Sequence, residues 1–125
     1  MHDRAESAQQ ATVTDEVIEY EDFAKIDLRI GQIVTAAVNP KARRPAYVLT
    51  IDLGELGTKT SSAQITDHYS AEQLVGQQVV CVTNFAPKRI AGVKSEVLVL
   101  GAVERDGAVV LLTPTQQVTA GLPIA

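Results

Sequence analysis

Asn84-Phe85-Ala86-Pro87-Lys88-Arg89-Ile90-Ala91-Gly92-Val93-Lys94-Ser95-Glu96 runs straight into Val97-Leu98-Val99-Leu100-Gly101, and the rest of the chain is organised around this stretch. The apolar run from Gln77 to Thr83 reads as a buried strand that stops at Asn84. Pro87 fixes its own φ and lacks a backbone donor, so the ladder cannot simply continue through it. Gly92 offers a position where a tight or left-handed conformation costs little. The expectation is an irregular connection that presents Lys88, Arg89 and Lys94 between two core strands, the second beginning at Val97. Binding residues concentrate on loops held by rigid scaffolds.

Working outward, Ile26, Leu28, Ile30 and then Ile33-Val34 alternate with Asp27, Arg29 and Gln32, the period of a half-buried strand. Gly31 inside it predicts a bulge or a sharp bend. Asn39-Pro40-Lys41-Ala42-Arg43-Arg44-Pro45 is a loop by its prolines. Tyr47, Leu49, Ile51 and Leu53 mark a second strand, and Gly54 to Gly57 turn the chain into a polar third strand over Thr58–Ile65. Asp67 to Leu74 reads as a short helix with caps available at Thr66, Asp67 or Ser70 and Gly76 beyond its end. Val79–Thr83 and Val97–Val103 supply strands four and five. Asp106-Gly107 signals a two-residue hairpin into Val109–Leu112, and residues 113–125 form an extended tail.

A helix between the third and fourth of five strands is the order of an OB-fold, an all-β Greek-key barrel, here with a C-terminal hairpin extension. In that fold the first-to-second and fourth-to-fifth loops flank one binding face. Those are the two basic loops of this chain, Asn39 to Pro45 and Asn84 to Lys94.

The chain has 125 residues, enough for one domain, and a net charge of −4. Residues 1–22 carry seven acids against one base, and the remainder carries ten bases against eight acids. The division expected is an acidic, disordered extension over residues 1–19 and a folded domain over 20–125. A mildly basic domain permits nucleic acid without the footprint of a dedicated binder. No apolar run approaches a membrane span, so no membrane insertion is expected, and the N-terminus lacks the pattern of a secretory signal. The single cysteine, Cys81, lies in an apolar run and reads as a small core residue of a reducing, cytoplasmic compartment. His2 and His68 form no ligand set with it. Neither a phosphate-cradling glycine loop nor a nucleophile–base spacing is present, so neither catalysis nor a cofactor is expected.

Candidate binding residues follow from the two loops and the strand beside them. Lys41, Arg43 and Arg44 on the first loop and Lys88, Arg89 and Lys94 on the second are phosphate contacts or a solvated surface. Arg29 extends the patch or pairs with Asp27 or Glu96. Ser61, Ser62 and Gln64 offer hydrogen bonds to peptide amides or nucleotide edges, or form an ordinary exposed strand. Asn84, Ser95 and Glu96 bracket the central loop and are expected to fix it through side-chain to backbone hydrogen bonds. Phe85 is a stacking platform for a base, an apolar wall for a peptide, or part of core or dimer packing.

Phe23-Ala24-Lys25-Ile26-Asp27-Leu28-Arg29-Ile30-Gly31 and Ser61-Ser62-Ala63-Gln64-Ile65 resemble the tRNA-binding domain found free-standing or appended to aminoacyl-tRNA synthetases. Pro45-Ala46-Tyr47, Lys59 to Thr66 and Asn84 to Gly101 resemble, more narrowly, its CsaA-type branch. The resemblance covers roughly residues 20–125. Ala86 stands before the single Pro87 where CsaA-like sequences often have two prolines, and Val97-Leu98-Val99 replace the methionine of the general tRNA-binding pattern. The resemblance implies a homodimeric, non-catalytic chaperone for unfolded or export-destined polypeptides (preproteins). The alternative it leaves is a binder of tRNA or other structured RNA.

Overall fold

The computed structural model describes residues 16–125. Most of the acidic extension expected over 1–19 therefore lies outside the described residues, while Glu16 to Glu19 are exposed and belong to no helix or strand. A short helix α1, Tyr20–Ala24, follows, closed by a reciprocal capping box between Glu19 and Asp22.

β1, Leu28–Val38, is eleven residues long and serves two partners. Its first half, Leu28 to Gln32, pairs with β4 (Gln78–Val82), and its second, Gln32 to Val38, with β2 (Tyr47–Asp52). β2 continues through a 3-10 turn at Gly54–Leu56 into β3, Thr58–Ala63. The sheet order is β3-β2-β1-β4-β7, with β7 at Leu98–Val99. Ile33, Leu49, Ile51, Leu53, Leu74, Val79, Cys81 and Val97 fill the interior and are essentially inaccessible. Burying each such aliphatic side chain is worth about 1.5–3 kcal/mol.

The ends of the sheet meet across β3 and the segment before β7. Glu96 N–H donates to Thr60 O (2.7 Å), Thr60 N–H to Glu96 Oε1 (3.2 Å), and Ser62 N–H to Ser95 Oγ (3.1 Å). Two of these three closing bonds use side chains in place of a backbone partner. The result is a nearly closed five-stranded antiparallel barrel, the OB-fold arrangement the strand order implied.

Several local features differ from the sequence reading. Gly31 is not the bulge; the register shift falls between Ile33 and Thr35. Gly31 faces the core instead, where a Cβ would run into Ile51 Cγ2 and approach Cys81 Sγ at 3.2 Å. The helix between β3 and β4 is one turn, α2 (Ala71–Leu74), because Ser70 rather than Thr66 or Asp67 makes the capping box, with Gln73. The connection around Lys88 to Lys94 is a hairpin, β5 (Lys88–Ile90) with β6 (Val93–Ser95). Ala91 and Gly92 both have positive φ, +46° and +82°, as a two-residue primed turn requires. The fifth strand is split at Leu100, which donates to Val80 O and accepts from Leu112 N–H. Beyond it β8 (Gly101–Val103) pairs with β9 (Val109–Leu111). The turn between them holds three residues, since Glu104 pairs with both Gly107 and Ala108 and Gly107 takes the left-handed position.

The tail does not run free of the barrel. Gly121 N–H donates to Ile30 O (2.7 Å), Ile30 N–H to Leu122 O (2.9 Å), and Ile124 N–H to Leu28 O (2.9 Å). It thus occupies the edge of β1 that β2 leaves open. The buried amide of Gln78 holds the approach, bonding both the carbonyl (2.6 Å) and the N–H (3.0 Å) of Val118.

Candidate ligand-binding cleft

Between the β1–β2 loop and the β5–β6 turn, over the outer side of β3, lies an open cleft of about 480 Å³. Lys41, Ala42, Arg43, Arg44 and Ala46 form one wall, Ser62 and Gln64 the floor, and Ile90 and Ala91 the opposite lip. The strand period explains the floor: successive residues of β3 face opposite sides, so Ser62 and Gln64 point outward while Ser61 and Ala63 are buried. Ser61, 1% exposed, is a core residue and takes no part in this face.

The first loop owes its shape to Asn39, which is buried although polar. Its backbone N–H donates to Ala46 O (2.9 Å), its Oδ1 accepts from Lys41 N–H (3.0 Å), and its carbonyl accepts from Ala42 N–H (3.3 Å). Its Nδ2 donates to Ala91 O of the β5–β6 turn (3.4 Å). Sequence reasoning placed Asn39 in the loop and gave it no role. The signal was the Asn-Pro pair, in which the Asn side chain commonly bonds backbone two residues on. Lys41 lies along Gly92, close enough that a side chain there would touch its Cδ at 3.4 Å.

The central hairpin contributes differently from expectation. Its cleft lip is apolar, through Ile90 and Ala91, and Lys88, Arg89 and Lys94 are exposed on the hairpin without lining the cleft. Arg89 and Lys94 are direct cross-strand partners, a like-charge juxtaposition that costs stability unless an anion or solvent relieves it. Arg89 Nη1 also donates to Gly92 O (3.1 Å). Ser95 is buried and occupied in barrel closure, and Glu96 Oε2 lies 3.8 Å from Lys59 Nζ.

Arg29, Asn84 and Phe85 belong to a third region. Arg29 Nε donates to Asp27 Oδ1 and its Nη1 to Gly121 O, so its head group is engaged within the chain. The Asp27 carboxyl is held below its ordinary pKa, first by the Thr83 hydroxyl and then, against partial desolvation, by Arg29. Asn84 ties the start of β1 to the end of β4 through Lys25 and Asp27. Phe85 is about half exposed. Among the described residues no group of three or more His, Cys, Asp or Glu is placed to hold a metal ion. Burial pushes the Cys81 thiol up to about 12, which removes it as a nucleophile. No helix among the described residues is long and apolar enough to cross a membrane.

Known proteins resemble this chain in sequence and fold. Residues 28–123 match the family described as a putative tRNA binding domain. The chaperone CsaA of Bacillus anthracis is 52% identical, with a TM-score of 0.81 over 88% of this chain and all of that one. The CsaA chaperone protein of Picrophilus torridus is 47% identical, also at 0.81, over 87% of this chain and all of that one. A methionine–tRNA ligase of Porphyromonas gingivalis is 36% identical over 92% of this chain, which spans only 17% of the ligase's length. The likeness to the ligase is thus to one appended domain. Matched over the whole barrel and its tail, the chain belongs to the tRNA-binding-domain family, as a CsaA-type member.

Proposed function

We propose that this chain is a non-catalytic chaperone that holds extended, unfolded polypeptide in the cleft between the β1–β2 loop and the β5–β6 hairpin. The observation that carries the reading is the composition of the cleft. Ala42, Ile90 and Ala91 offer apolar surface, Ser62 and Gln64 offer amide-compatible hydrogen bonds, and the cations of the lining stand along one wall. An extended peptide uses such a surface through backbone hydrogen bonds and shallow apolar contacts. The likeness to two CsaA chaperones supports the same reading. Export-destined preproteins are the proposed clients and the cytoplasm the proposed site of action.

A second reading is tRNA binding on the same face. Lys41, Arg43 and Arg44 favour it, as does the family match, while the net charge of −4 works against tight affinity for a polyanion. A homodimer is proposed as the working form. Val110, Leu112 and Leu122 remain more than two-fifths exposed on β9 and the tail, apolar surface that a second copy would cover.

The deciding experiment titrates bulk tRNA and a reduced, carboxymethylated polypeptide side by side, at low and physiological salt, with wild type and a Lys41→Ala/Arg43→Ala/Arg44→Ala variant. Polypeptide binding that holds or strengthens with salt and survives in the variant upholds the chaperone reading. Binding of tRNA alone, falling steeply with salt and lost in the variant, replaces it. Sedimentation at micromolar concentration tests the dimer, and a monomer there rejects it.

A further inference from the structure

Ala91 has φ +46°, and it is the one non-glycine residue with positive φ among the described residues. Alanine gains nothing from that conformation, because its Cβ crowds the neighbouring carbonyl and no side-chain polar group compensates. A residue stays in such a conformation when its surroundings over-determine it. The surroundings here are two contacts from the opposite side of the cleft. Asn39 Nδ2 donates to Ala91 O, and Lys41 packs along Gly92, the second residue of the turn. Asn39 is itself immobilised by the bonds that shape the β1–β2 loop. One buried amide therefore spans from the basic wall to the apolar lip.

We infer that Asn39 is a positioning residue: by holding Ala91 left-handed it sets the spacing of the two cleft walls, and so controls affinity for whatever the cleft takes. The inference rests on the cleft being the binding site. Asn39 does not line the cleft, so its effect passes through Ala91, Ile90 and the β5–β6 turn. Without the clamp the turn relaxes toward conformers with negative φ at Ala91, and the binding-competent population falls. Apparent affinity falls by the same fraction, so a competent share of roughly one in ten gives about a tenfold loss.

Asn39→Asp separates the two jobs of the side chain. It keeps the acceptor for Lys41 N–H and loses the donor to Ala91 O. The expected result is binding of the carboxymethylated polypeptide, or of tRNA, weakened about five- to tenfold. Ala91→Gly makes the left-handed turn accessible without help, so in that background Asn39→Asp costs little affinity relative to Ala91→Gly alone. Asn39→Ser, whose hydroxyl still accepts locally but is too short to reach Ala91 O, serves if the Asp variant does not fold. The spectroscopic signature is the strong intraresidue amide–Hα NOE of residue 91 that positive φ produces, present in wild type and lost in Asn39→Asp. Unchanged affinity with a retained NOE overturns the inference, as does an Asn39→Asp loss that is just as large in the Ala91→Gly background. If wild type binds neither probe, the proposed function fails. The NOE comparison then still decides whether Asn39 holds the turn.

Discussion

Asn84 and Asp27, fifty-seven residues apart, are joined where β4 ends and β1 begins: Asn84 Oδ1 accepts the Asp27 N–H at 2.9 Å. Asn84 Nδ2 donates to Lys25 O at 2.7 Å, so one side chain pairs two backbone groups of the segment that leads into β1. Asn84→Ala removes both bonds at once. A loss of about 1–2 kcal/mol is expected, read as a lower urea midpoint with an unchanged m-value. An unchanged midpoint would mean that water satisfies these groups equally well.

Asp27 gives the barrel an acid-sensitive joint. Its folded-state pKa lies below the ordinary value of 3.8, so the folded state binds this proton less readily than the unfolded chain. The stabilisation is fully present above about pH 4 and is lost as pH falls through the lower folded value. Thr83→Val removes the largest cause of the shift. Urea midpoints between about pH 2 and 6 should then show a shallower acid loss than wild type. A variant with the same acid slope would assign the shift to Arg29 instead.

Gly31→Ala tests the packing reading of that glycine. The added methyl has to displace Ile51 Cγ2 and crowds Leu53 Cδ2 at 3.2 Å, all inside the barrel. Overpacking of this kind costs about 1–3 kcal/mol, visible as a lowered Tm. An unaltered Tm would show that the barrel wall yields locally.

Cys81 should be silent toward a thiol reagent such as Ellman's at pH 8 while the chain is folded, because burial holds its pKa at about 12. Adding guanidinium should release one equivalent per chain, since the sequence contains a single cysteine. Rapid labelling of the native protein would contradict the core placement.

Strand order was legible because period-two alternation survives in β1 and β2 and because turn residues set off the polar β3. The hairpin inside the central connection was not. A primed turn is announced by Asn-Gly or Gly-Gly, and Ala91-Gly92 carries half of that signal. What keeps Ala91 there is Asn39, fifty-two residues earlier, a contact no local window contains. The inward direction of Ser61 was available from parity alone, since its neighbour Ser62 cannot share its face. The charged residues of the hairpin drew attention by composition. Side-chain parity instead gives the cleft lip to Ile90, and the wall cations come from the first loop.

The tail strand has a consequence for synthesis. Arg29 and Ile30 meet their partners at Gly121 and Leu122, ninety-two residues later in the order of translation. While the ribosome is still making those residues, one edge of β1 offers bare amides and carbonyls to any neighbouring chain. Closing that edge needs one of the longest-range contacts in the molecule, which is slow. A nascent chain of this protein thus carries an open strand edge until residues 121–124 have been made and have docked on β1.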